Sequence, residues 1–241
     1  MILTVVGCSG TVPGPDAACS CYLLEHAGVR ILLDLGTGAL GPLQRFADPC
    51  AVDAVVLSHP HRDHCADLVP LVYLRDRRGV SGPLPVLAPA GSAERVVGEG
   101  RPYTDALKWL DAGPEPFRIG PFTVRTTPVP HSVPAVAVRV SAGDATLTYS
   151  GDSGVCAELD DLARGSDVLL CEAAAAVDTP GASRNHLTPA QAAATATRAG
   201  AGQLILTHLR PWADPAAALA EARVHSARPV SLAVPGLRVA V

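Results

Sequence analysis

Lysine is almost absent: Lys108 stands alone among 241 residues, and the formal net charge is −4. A protein that grips a polynucleotide usually carries a basic stripe. The densest cationic stretch here, Arg75, Arg77 and Arg78, reads as a solvated helix end, so long nucleic acid is disfavoured as a partner. No apolar run approaches the roughly 20 residues that span a bilayer, which argues against a membrane segment. The opening MILTVVGCSG lacks a basic leader and a small-residue cleavage site, so secretion is not expected. The seven cysteines form no C-x-x-C pair and no disulfide framework. Most lie beside apolar residues and read as small hydrophobes. Cys19 and Cys21, two apart on one strand face, are the pair whose spacing would let them share a metal. A reducing cytoplasm is the expected compartment.

What is present is an ordinary globular composition, 48% hydrophobic and 17% charged. Short Val-, Ile- and Leu-rich runs alternate with helical patterns, and Gly and Pro mark the joints. The spacing predicts strands over 2–6, 21–25, 29–34, 53–58, 84–88, 122–129, 135–140, 145–150, 167–172 and 203–207. Helices are predicted over 64–78, 93–110 (interrupted by Gly100 and Pro102), 155–164, 189–199 and 215–225. Thr188-Pro189-Ala190-Gln191 is a T-x-x-Q capping box with proline at the first helical position. The stretches 173–176 and 178–182 read together as one exposed loop. No linker or repeat divides the chain, so residues 1–241 are expected to form a single α/β domain with two sheets.

Three of the eight histidines fall within six positions, in Ser58-His59-Pro60-His61-Arg62-Asp63-His64, directly after an apolar strand. His131, Asp152 and His208 each follow a later predicted strand. Imidazole and carboxylate suit zinc, manganese or iron, whereas calcium prefers oxygen alone. His59 and His61, at i and i+2, can share one ion that His131 completes. Asp63 and His64 can face a second ion that His208 completes, with Asp152 between the two. Two divalent ions about 3.5–4 Å apart activate water and clamp the entering and leaving oxygens of a hydrolysis. Taken singly, His131 and His208 would more often be structural histidines and Asp152 a turn residue. Their weight is joint. His26 and His225 read as surface residues.

The run SHPHRDH resembles the histidine motif of the metallo-β-lactamase superfamily. VVGCSGTVPGPDAACSCYLLE, ILLDLGTGAL, YSGDSG and NHLTPAQAAATATRAGAGQLILTHLRPW are similar to successive motifs of its ribonuclease Z-like branch. The resemblance implies an αββα sandwich with two divalent ions, zinc foremost and manganese or iron as alternatives, at one edge. It assigns His59, His61 and His131 to one ion, Asp63, His64 and His208 to the other, and Asp152 to both. It makes Asp63 the residue that orients or deprotonates the nucleophile, and His186 the acid that protonates the leaving oxygen. It also suggests a homodimer.

Two departures weaken a tRNA substrate. Only 20 residues separate His131 from Asp152, too few for the tRNA-gripping arm of long-armed ribonuclease Z. Cys171-Glu172-Ala173-Ala174 stands where that family tends to show His-Glu-Ala-Thr, which leaves Glu172 to orient a ligand histidine. The short layout, with Gly7–Gly10, Tyr149–Cys156, Leu170–Ala173 and Leu206–Trp212, is more similar to bacterial atypical class II-like cyclic-nucleotide phosphodiesterases. The expected activity is hydrolysis of a small phosphodiester, with 3′,5′-cyclic AMP first. The alternatives are a tRNA 3′-processing endonuclease without the arm and a lactonase or thioesterase.

Overall fold

The structure, a computed structural model, describes residues 1–98, 104–175 and 184–241. The first sheet is assembled from β1 (Ile2–Gly7), β2 (Cys21–His26), β3 (Val29–Leu33), β4 (Ala54–Val56), β5 (Leu84–Ala88) and β6 (Leu107–Asp111). The second takes β7 (Phe117–Ile119), β8 (Phe122–Val129), β9 (Ala135–Ala142), β10 (Ala145–Tyr149), β11 (Val168–Glu172), β12 (Gln203–Thr207) and β13 (Val230–Leu232). β14 (Arg238–Ala240) returns to pair with β1, so the orders are β14-β1-β2-β3-β4-β5-β6 and β13-β12-β11-β10-β9-β8-β7. β3 through β6 are parallel, as are β10 through β13.

Period-two alternation sorts each strand's apolar residues between two cores. Leu3, Val5, Tyr22, Leu24, Ile31 and Leu33 meet Val138, Val140, Leu147, Tyr149, Leu170 and Ile205 between the sheets. Val6, Cys21, Leu23 and Leu32 face the other way, against Leu43, Leu68, Leu71 and Val72 of the covering helices. On the far side Leu169, Cys171, Leu204 and Leu206 pack on Leu159, Ala192, Ala193 and Ala196. Strands buried on both faces read as continuous apolar runs, which made them easy to find in the sequence. The result is the expected αββα sandwich of the metallo-β-lactamase type.

The helix Pro189–Ala199 opens on the predicted capping box: Thr188 accepts from Gln191 N, Gln191 accepts from Thr188 N, and Gly200 closes at φ +64°. Other expectations are corrected. The helix over 64–78 is two pieces, Arg62–Cys65 and Leu68–Arg77. Asp67 breaks it, because its carboxylate accepts from Gly38 N and Leu40 N and ties this point to the loop after β3. The helix over 93–110 is instead the short Ser92–Val96, the turn Thr104–Ala106 and strand β6; residues 99–103 lie outside the described residues. Gly98 takes φ +79°, and pairing with β5 decides the strand. Arg75 is buried, donating to Cys50 O, and Arg78 meets Asp48, so that run pins a loop. Ala173–Ala175 are buried rather than looped out, since Ala173 N donates to Thr207 O and Ala175 N to Leu187 O. Residues 176–183, which hold the rest of that predicted loop, lie outside the described residues.

Candidate metal centre

The seven sequence-selected residues converge on one rim. β4, β8, β10 and β12 all end there, which is where open α/β sheets usually gather ligands. His59 and His61 follow β4, with His61 at the start of the helical turn Arg62–Cys65 that carries Asp63 and His64. His131 follows β8, Asp152 follows β10 and His208 follows β12. The chain is drawn tight around them. A Cβ on Gly36 would lie 1.9 Å from Asp63 O, so no side chain fits beneath that turn. His208 is held at φ +57°, a left-handed conformation uncommon outside glycine.

In the first group, His61 Nδ1 lies 3.0 Å from His59 Nε2 and 3.1 Å from His131 Nε2. The outer nitrogens are already committed. His131 Nδ1 donates to Asn185 O at 3.1 Å, and His59 Nδ1 lies 3.0 Å from Ser58 Oγ, which itself donates to Asp34. With their protons outside, His59 and His131 turn lone pairs inward, and His61 can donate to only one of them. Burial holds all three below the usual histidine range, hence neutral.

In the second group, His208 Nε2 lies 3.1 Å from both His64 Nε2 and Asp63 Oδ2. Asp152 joins the two groups: Oδ1 is 3.3 Å from His64 Nε2 and 3.4 Å from His208 Nδ1, and Oδ2 is 3.7 Å from His59 Nε2. Among the described residues, buried Asp152 Oδ1 and His208 Nδ1 have no hydrogen-bond partner. Such orphans cost about 1–3 kcal/mol each. Burial would raise the carboxyls of Asp63 and Asp152. The neighbouring histidines more than offset it and hold both well below the carboxylate range.

Four residues that the sequence reading did not select support this arrangement. Asp34 is fully buried and accepts from Ser58 N, Ser58 Oγ and His64 Nδ1, each at 2.7 Å, and from Tyr149 OH at 2.8 Å. Its hold on Nδ1 fixes the tautomer of His64 and turns Nε2 to the cluster. Burial would lower the His64 imidazole, but Asp152 and Asp34 override it and raise it well above its ordinary value. Thr11 N donates to Asp63 Oδ2 at 2.9 Å. The signal for Asp34 was an acid closing an apolar strand immediately before Leu35-Gly36, where the chain must turn.

His186 stands at the edge of the cluster, with Nδ1 3.0 Å from Glu172 Oε1 and 3.8 Å from Asp152 Oδ2. Glu172 thus orients His186, whereas the sequence reading gave it a ligand histidine. Burial lowers the His186 imidazole, but the hydrogen bond and charge of Glu172 outweigh it and leave it raised. Cys19 and Cys21 are fully buried, and burial pushes the Cys19 thiol up to about 12. Cys21 packs as a hydrophobe with Val6, Leu23 and Leu32. His26 lies against Phe122, and His225 is exposed.

The donor set fits cations. Within each of two groups, His59/His61/His131 and Asp63/His64/Asp152/His208, one donor atom per residue lies within 4.8 Å of the others. Inward lone pairs, two orphaned buried atoms and two strongly acidic carboxyls all call for positive charge. Cys ligation is absent from both groups.

Comparison with known proteins agrees. A beta-lactamase superfamily domain matches residues 29–209. The uncharacterized protein Rv1339 of Mycobacterium tuberculosis is 37% identical over 246 residues, covering 96% of this chain and 89% of that one. The probable metallo-hydrolase YhfI of Bacillus subtilis is 32% identical over 214 residues, 87% of each chain. The crystal structure of YhfI superposes with a TM-score of 0.90 at 30% identity, over 99% of this chain and 98% of that one. Ribonuclease Z of Mycobacterium bovis is 28% identical over 247 residues, covering 88% of this chain and 87% of that one. The chain belongs to the metallo-β-lactamase superfamily, has ribonuclease Z among its relatives, and is a metal-dependent hydrolase.

Proposed function

We propose that this chain is a dinuclear metal-dependent phosphodiesterase acting on a small phosphodiester, with 3′,5′-cyclic AMP as first substrate and zinc as first metal. The observation that carries the reading is the His186–Glu172 pair beside two donor groups with Asp152 between them. His59, His61 and His131 would hold one ion, Asp63, His64 and His208 the other, and Asp152 both. Bound there, the ions would polarise the phosphoryl oxygens and supply an activated water at neutral pH.

The chain's own groups do the rest. Glu172 keeps a proton on His186 Nδ1 and raises the imidazole, so Nε2 is the nitrogen left to protonate the departing oxygen. Asp63, steadied by Thr11 N, orients the attacking water. Asp34 holds His64 in register through the seam between Ser58 and Tyr149.

A small substrate is supported by the segment between His131 and Asp152, which is filled by the β9–β10 hairpin. Metal-stripped protein reconstituted separately with zinc and manganese should hydrolyse cyclic AMP and bis(p-nitrophenyl) phosphate. Turnover of a 3′-extended tRNA alone would reject the proposal. That outcome belongs to the second reading, a tRNA 3′-processing endonuclease, which the 28% identity to ribonuclease Z favours.

A further inference from the structure

A cavity of about 300 Å³ adjoins the cluster, at the lower end of the range for small-molecule sites. It opens between the loop after β1, the segment after β12 and the residues after β13. Cluster and cavity share one stretch of backbone: His208 N donates to Cys8 O at 3.0 Å and Gly10 N to Leu209 O at 2.9 Å, while Cys8, Ser9 and Leu209 line the cavity. The walls are mostly apolar, with Leu206, Leu232, Ala233 and Pro211 among them. Two charged side chains line it, Asp16 and Arg210.

Arg210 joins the two places. It lines the cavity, and its charge reaches His186, whose imidazole it lowers slightly against the pull of Glu172. Its guanidinium lies 6.0 Å from the ring centroid of Trp212, which is 65% exposed, and it forms no ion pair with any described residue. A guanidinium beside an indole, with no carboxylate partner among the described residues, is a ready partner for a phosphate. Asp16 repels a second anion from the cavity and accepts N–H groups. An occupant with an anionic head and a flat, largely apolar body bearing N–H donors matches both residues and the walls.

We propose that this cavity is the subsite for the nucleoside portion of a nucleoside phosphate, with Arg210 on the phosphate and Trp212, beside Arg210 and outside the lining, as the reporter of its engagement. The proposal rests on the phosphodiesterase reading for what becomes of the phosphate, but not for binding. In Trp109→Phe protein the sole tryptophan is Trp212. Kept metal-free with chelator and titrated with 5′-AMP, it should show saturable quenching that inorganic phosphate does not reproduce. Arg210→Gln should weaken 5′-AMP at least about tenfold, the effect of one lost charge-assisted contact. Ala233→Phe, which narrows the cavity without adding a tryptophan, should abolish the quenching while the far-UV spectrum and melting temperature stay near the parent's.

Equal responses to 5′-AMP and inorganic phosphate, or binding unaffected by both substitutions, would overturn the subsite. Hydrolysis of a cyclic nucleotide with KM unchanged in Arg210→Gln and Ala233→Phe would overturn it while leaving the phosphodiesterase reading intact. Nucleotide binding that responds as expected, without hydrolysis of any phosphodiester by reconstituted protein, would keep the subsite and remove that reading.

Discussion

Asp34→Asn isolates what the buried carboxylate contributes to the metal centre. Asparagine is nearly isosteric and tolerates the left-handed backbone, here φ +59°, so the change is electrostatic rather than steric. Oδ2 accepts three of the four hydrogen bonds and Oδ1 accepts the fourth, from Ser58 N. The favourable flip keeps the amide oxygen at the Oδ2 position and turns NH2 toward Ser58 N–H, where donor meets donor. One charge-assisted bond, about 1.5–3 kcal/mol, is lost, and three others fall to neutral strength at about 1 kcal/mol each. Relief of the buried charge returns a few kcal/mol. The net cost is about 2–4 kcal/mol, within the 5–15 kcal/mol that holds a typical domain together, so the variant should still fold. Its melting temperature should fall by roughly 5–15 °C. With the His64 tautomer no longer fixed, metal affinity should drop about 10–100-fold in competition with a fluorescent chelator. Tyr149→Phe, which removes one donor and leaves the carboxylate three, should cost only about 1 kcal/mol and spare most of the affinity. If Asp34→Asn bound metal as tightly as Tyr149→Phe, orientation through Asp34 would be the wrong account of His64.

Three other substitutions probe neighbouring steps. Gly36→Ala places a methyl against Asp63 O and should cost about 1–3 kcal/mol in urea unfolding, with metal affinity lowered as the turn shifts. His186→Ala should retain metal by elemental analysis yet slow phosphodiester turnover by roughly 10²–10⁴; an emptied site would make His186 a ligand instead. Because Glu172 raises the His186 imidazole in the folded state, their pairing stabilises the protein below the ordinary histidine range. That contribution is lost as pH rises through the raised value. If protonated His186 is the acid, kcat falls on the alkaline side, and Glu172→Gln should move that fall to lower pH. An unmoved alkaline limb would separate His186 from the leaving group.

The candidate metal residues stood out because three of the eight histidines fall within six positions and His59, His131, Asp152 and His208 each follow a strand. What the chain withheld was either non-local or unpatterned. Asp34 reads in sequence as the last residue of a strand, and only folding brings Ser58, His64 and Tyr149 to it across separations of up to 115 residues. β13 and β14 are three-residue edge strands with half-exposed side chains, so neither alternation nor a full apolar run marks them. β6 sits in a stretch whose apolar spacing also suits a helix, and its pairing with β5 decides between the two. The break in the 64–78 helix depends on where Asp67 finds amide donors, twenty-seven and twenty-nine residues earlier in the chain.

Apart from β14, the two sheets come from successive stretches of chain, and the candidate ligands are divided between them. His59, His61, Asp63 and His64 precede β5, whereas His131, Asp152 and His208 belong to the second sheet. A ribosome that has released only β1 to β6 has made a four-residue chelator with neither donor group complete, and the last donor appears only when His208 emerges. Ions that favour the finished cluster over that fragment then stabilise the docked pair of sheets by mass action. Chelation should therefore loosen the seam between the sheets first, and amide exchange at Ser58, Ser150 and His208 should quicken before the outer helices open.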